Sequence, residues 1–138
     1  MHKCKERITF AGMEKKIIRT DNAPAPIGPY SQAVQFGNLL FISGQVPIDP
    51  NTGNVVEGDI KTETTQVMKN LEAILHNAGM DFTNIIKTSI FLMDMGQFAQ
   101  VNEVYGSYFG EMPPARETVQ VSGLPKGVKV EISMIAGK

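Results

Sequence analysis

Residues 60–78 carry apolar side chains at helical period, and the segments on both sides of them read as strand. That pattern confines the chain to helices laid on a β-sheet. Val67, Leu71, Ile74, Leu75 and Ala78 fall on one helical face. Asp59 suits the N-cap, and Gly79 suits the left-handed position after the last turn. Downstream, IIKTSIFLM (85–93) is the β-branched, apolar run expected of a strand buried on both sides. A second helix is predicted around 96–109, with Phe98, Val101, Tyr105, Tyr108 and Phe109 as its apolar face. Asp94 and Gln97 have the spacing of a capping box at its start. Gly106 lies inside it, where close approach to the sheet would explain a residue that costs about 1 kcal/mol relative to Ala.

The remaining segments complete the sheet. Residues 14–20 form a candidate strand. DNAPAPIGPYSQ has three prolines and a glycine, so it is a rigid loop and neither helix nor central strand. Residues 32–36 and 39–43 make a hairpin through a Gly37-Asn38 turn. PIDPNTGN (47–54) is turn chemistry, and 116–122 and 128–136 are the closing strands, joined by LPKG. The order β, hairpin, α, β, α, β, β places two helices as crossovers on one face of a mixed sheet, an α+β architecture. The opposite face then carries apolar residues with nothing in this chain to cover them, which points to self-association. Residues 1–12 read as a flexible N-terminal extension and 13–138 as a single domain.

Several function classes are disfavoured. The net charge of −1 leaves no basic stripe for nucleic acid, apart from a cluster at Lys3, Lys5, Arg7, Lys15, Lys16 and Arg19 that reads as a solvated tail. No apolar run approaches the length needed to cross a membrane, and no secretory signal pattern opens the chain. Cys4 is the one cysteine, so a reducing, cytoplasmic setting is expected. His2, His76 and Cys4 make no metal set, so neither metal nor cofactor is expected.

Chemistry points first to arginine. Of three arginines, Arg7 and Arg19 lie near the N-terminus, and Arg116 is the one in the remaining body. It follows Pro113-Pro114-Ala115 at a strand start, a rigid mount for a fork that matches a carboxylate. The competing reading pairs it with Glu111 or Glu117. Glu131 stands in an apolar strand and could order a water, or simply face solvent. Tyr30, Ser43 and Asn102 are polar residues at element ends or beside an apolar face.

The runs NAPAPIGPYSQAV, ISGQVPIDPNTG, VNEVYGSYF, PPARETVQV and LPKGVKVEI resemble the RidA/YjgF family over about residues 15–137. The resemblance implies a chorismate-mutase-like fold: a six-stranded mixed sheet with two helices on one face. It also implies a homotrimer with a central barrel and active sites between subunits. It implies cofactor-free hydrolysis of 2-imino acids such as 2-iminobutanoate and 2-iminopropanoate, reactive products of PLP-dependent dehydratases, to 2-oxo acids and ammonia. Carried over residue by residue, the family's carboxylate-binding arginine is Arg116 and its water-positioning glutamate is Glu131. Tyr30, Ser43 and Asn102 match its other binding residues. Thr118 stands where the family often has cysteine; its backbone N–H is expected to face substrate. By strand alternation Glu117 should then point away. Other roles described on this fold are translation-inhibiting endoribonuclease, holdase and small-molecule-binding regulator.

Overall fold

The computed structural model describes residues 14–138. The expected extension, with His2, Cys4 and the start of the basic cluster, lies outside the described residues. Six strands form one sheet: β1 (Lys15–Ile18), β2 (Ala33–Phe36), β3 (Leu39–Gln45), β4 (Ile85–Leu92), β5 (Ala115–Gln120) and β6 (Val130–Gly137). Their spatial order is β1-β2-β3-β6-β4-β5. All pairings are antiparallel except β4 with β5. Helix α1 (Ile60–Asn77) connects β3 to β4, and α2 (Phe98–Gly106) connects β4 to β5.

Helix α1 has the ends its sequence predicts. The Asp59 carboxylate accepts from Thr62 N–H, one of the donors that the first turn leaves unpaired. At the other end Gly79 N–H donates to His76 C=O and Met80 N–H to Leu75 C=O. That is a Schellman stop, and it requires the positive φ of 76° that Gly79 adopts. Val67, Leu71, Ile74 and Leu75 are fully buried against the sheet.

Strand alternation divides the sheet into two faces. Leu40, Ile42, Thr88, Ile90, Leu92, Val130, Ile132, Met134 and Ala136 are buried beneath the helices. The pairs Ile42–Met134, Thr88–Met134 and Ile90–Ile132 put them in register on that side. The opposite face presents Ile17, Val34, Phe41 and Ile135 in one cross-strand row, with Phe36 beside it and Val119 further along. Phe41 and Ile17 are 43% and 52% exposed in the single chain. The strand at 85–92 is therefore buried on one face, not both: Lys87, Ser89 and Phe91 lie on the open side, where no described residues form a covering layer.

Helix α2 is shorter than its apolar pattern suggests. Met95–Gln97 form a 3-10 turn and the α-helix runs 98–106, leaving Tyr108 and Phe109 beyond it but still packed on the core. Asp94 accepts from Gly96 N–H without a reciprocal bond from Gln97; the reciprocal capping box is instead at Asp81 and Asn84. Gly106 meets no neighbour within 4 Å of an added Cβ, so no close approach to the sheet explains it.

The proline-rich loop is held from inside. Gln32, only 2% exposed, donates through Nε2 to the carbonyls of Thr20, Ala23 and Pro24 and accepts through Oε1 from Thr20 N–H. One side chain thus satisfies the backbone of a segment whose prolines cannot pair in a sheet. Gln32→Leu keeps the bulk but leaves those groups unmet; we predict a loss of about 1–3 kcal/mol in stability, read by urea unfolding.

Candidate functional site

The residues singled out in the sequence fall into two clusters on opposite faces of the sheet. The first surrounds Arg116. In the parallel β4–β5 pairing Arg116 lies across from Thr88, and Thr118 across from Ile90, so both belong to the helix-covered face. The half-buried guanidinium donates from Nη1 to Asn102 Oδ1 at 2.8 Å. Its central carbon stands over two rings of α2, 5.0 Å from the Tyr105 centroid and 5.5 Å from that of Phe98. Among the described residues no carboxylate lies within salt-bridge distance of it. Glu117, one of the candidate partners, points to the other face, as alternation requires. There it pairs with Lys87 at 3.0 Å and accepts from Ser89, which together hold its carboxyl below the usual range. Beside Arg116, the buried Thr118 Oγ1 has no hydrogen-bond partner.

The second cluster surrounds Glu131 on the open face. Ile42 pairs with Met134, but Gln45 pairs with Ile132, so β3 spends one extra residue there. This bulge at Ser43-Gly44 bends the strand and brings it over Glu131. A Cβ on Gly44 would collide with Glu131 Oε2 and sit 2.7 Å from its carboxyl carbon. The glycine is what lets that carboxylate lie against the strand. Ser43 Oγ donates to Ser31 C=O at 2.6 Å, and Tyr30 Oη accepts from Ile27 N–H at 3.2 Å, so both are placed by the proline-rich loop. Ile27, Tyr30, Ser43, Gly44, Val46, Pro125 and Glu131 line one cleft of about 310 Å³. Burial raises the Glu131 carboxyl above its ordinary value.

Sequence reasoning named Arg116, Asn102, Thr118, Tyr30, Ser43 and Glu131; it missed Gly44, Phe98 and Tyr105 as their supports. The two aromatics were legible as an apolar helix face, but a period in sequence says nothing of the cation lying over that face. The bulge had no signal beyond the dipeptide Ser-Gly. Among the described residues no group of three or more His, Cys, Asp or Glu side chains could hold a metal. No helix among them is long and apolar enough to cross a membrane.

A six-stranded mixed sheet under two helices is an architecture that solved structures share. Escherichia coli TdcF, whose crystal structure has bound serine, superposes with a TM-score of 0.85 at 42% identity, over 89% of this chain and 98% of that one. Residues 20–138 match the family model described as Endoribonuclease L-PSP. A mouse 2-iminobutanoate/2-iminopropanoate deaminase is 51% identical over 122 residues, 88% of this chain and 90% of its own. A RutC family protein of Pyrococcus horikoshii is 57% identical over 124 residues, 90% of this chain and 98% of its own. The chain belongs to this L-PSP group, the RidA/YjgF family.

The raised carboxyl carries a stability consequence. Folded Glu131 holds its proton to higher pH than the unfolded chain does. As pH rises through that interval the native state therefore loses stability, since it binds more protons than the unfolded state. We predict that Glu131→Gln is more stable than the parent at neutral pH. The difference should close as the pH falls below the carboxylate range, in denaturant titrations at several pH values.

Proposed function

We propose that the protein hydrolyses 2-imino acids such as 2-iminobutanoate and 2-iminopropanoate to 2-oxo acids and ammonia, without a cofactor. The observation that carries this reading is the Arg116 guanidinium, half-buried, oriented by Asn102 and lacking an acidic partner among the described residues. A cation so placed keeps its bidentate donors for an organic carboxylate. Two relatives support it: one named a deaminase of these imines, and one solved with serine, itself an α-amino acid.

In this mechanism Arg116 forks the substrate carboxylate and the Thr118 N–H borders it. Glu131, Tyr30 and Ser43 frame the reacting carbon. Glu131 takes a proton from a water as its oxygen adds to the iminium carbon. It returns that proton to the carbinolamine nitrogen, then takes the hydroxyl proton as the C=O forms, the C–N bond breaks and ammonia leaves. A carboxyl raised toward neutrality is better matched to these transfers. An enamine such as 2-aminoacrylate enters after tautomerising to the imine. Imines hydrolyse readily, so positioning and one general base suffice.

Arg116 and Glu131 face opposite sides of one sheet, so a single chain does not present both to one substrate. The reading therefore uses two chains: Arg116, Asn102 and Thr118 from one subunit, and Tyr30, Ser43 and Glu131 from its neighbour. The apolar open face supports a homotrimer in which three sheets enclose a central barrel. On this reading the substrates come from PLP-dependent dehydratases, and the protein works beside them in the cytoplasm, the reducing setting expected of a chain with one cysteine.

The test generates 2-aminoacrylate or 2-iminobutanoate with a dehydratase and follows 2-oxo acid release. Acceleration by this protein is expected, abolished by Arg116→Ala and weakened by Glu131→Gln. Arg116→Ala as active as the parent would sink the mechanism. Unfolding an equal mixture of the two variants and refolding them together should restore about a quarter of the sites, because each restored site needs one intact residue from each of two neighbouring chains. Recovery no greater than the sum of the separate variants would refute a two-chain site.

A further inference from the structure

Among the described residues Arg116 is held entirely by uncharged groups, and the way they hold it has a consequence for binding. Asn102 takes one donor at Nη1. Phe98 and Tyr105 take none, because a ring face attracts the cation as a whole and competes for no N–H. A structural carboxylate in their place would neutralise the charge and occupy the same donors a ligand needs. Phe98, Asn102 and Tyr105 are spaced four and three residues apart, so one face of α2 supplies all three contacts.

The Tyr105 ring is itself anchored. It is 5% exposed, and its hydroxyl meets Thr88 Oγ1 at 2.8 Å. Thr88 is fully buried and lies across from Arg116 in the β4–β5 pairing. Phe109 packs on the ring, with centroids 4.8 Å apart. The hydroxyl is thereby tied to the strand next to the one that carries the arginine, and the ring face is turned to the guanidinium. Burial moves the phenol further from ionisation, so the ring stays neutral beside the cation.

We infer that Tyr105 and Phe98 are positioning residues that hold the Arg116 guanidinium against their ring faces, leave its donor fork free, and set the protein's affinity for a carboxylate ligand. Thr88 supports Tyr105 in this. The identity of the ligand as a 2-imino acid rests on the reading above; the aromatic support of the arginine does not.

The experiment uses the full chain and two readouts. The first is the Nε–Hε resonance of Arg116 in ¹H–¹⁵N spectra, assigned by its loss in Arg116→Lys. Ring currents should hold it away from the position of an exposed arginine, Tyr105→Leu should return it there, and Tyr105→Phe should retain most of the shift. The second is calorimetric titration with 2-oxobutanoate, a carboxylate without the reactive imine. Tyr105→Leu should weaken binding about 3-fold to 20-fold and Phe98→Leu somewhat less, as expected for loss of a partly desolvated cation–π contact. Tyr105→Phe should fall between Tyr105→Leu and the parent. Leu75→Val, a core change away from Arg116, controls for stability and should leave the dissociation constant unmoved. Binding unchanged in Tyr105→Leu, or weakened as much in Leu75→Val, overturns the inference, as does a parent protein that does not bind 2-oxobutanoate. A parent that binds it through Arg116 but does not accelerate imine hydrolysis sinks the deaminase reading and leaves this one standing.

Discussion

A β-strand sends successive side chains to opposite faces, and this alternation governs where the candidate site residues of the protein lie. Arg116 and Thr118 share the helix-covered face, while Glu117 between them turns to the open one and is occupied by Lys87 and Ser89. Glu131 sits on the open face, across from Phe91. The cation and the carboxylate are separated by the sheet itself, so neither quenches the other. An Arg–Glu pair within one chain would be a structural salt bridge; kept apart, both remain available to a ligand.

Each cluster is supported in the manner its charge requires. The guanidinium lies over aromatic faces and one amide oxygen, which orient a cation without consuming its fork. The carboxylate lies against a bulged strand, where Gly44 leaves room for it, and the surrounding burial makes ionisation less favourable. Behind both stand buried polar side chains that fix irregular backbone. Gln32 ties the proline-rich loop that carries Tyr30. Glu63, buried on α1, accepts from Lys129 N–H just before β6 begins. The rigidity of the site thus comes from hydrogen bonds to loops as much as from the apolar core.

The open face gives the proposed assembly its energetic basis. Ile17, Phe41, Ile135 and Val34 form a continuous apolar row on a surface that the helices leave bare. Covering it with like surfaces would remove that area from water at roughly 25 cal/mol per Å² of apolar surface buried. In the two-chain reading the association that covers this face would also bring Arg116 of one subunit toward Glu131 of the next, making folding, assembly and activity one process.

Much of this was legible in the chain alone. The 3.6-residue period of 60–77, its Asp59 cap and its Gly79 stop locate α1, because those signals depend on residues a few positions apart. Gly37 marks the hairpin for the same reason, and the lone body arginine after two prolines marks Arg116. The limits of α2 are not legible in this way: Tyr108 and Phe109 continue its apolar pattern, yet they pack on the core from beyond the last helical turn. The run 85–93 reads as buried on both sides, since an apolar residue reads the same whether its cover comes from its own chain or is missing from it. Which face of the sheet the helices cover, where β3 bulges, what surrounds the guanidinium and what crowds Gly44 were decided only by tertiary structure. Those depend on contacts between segments far apart in sequence, for which local spacing carries no information.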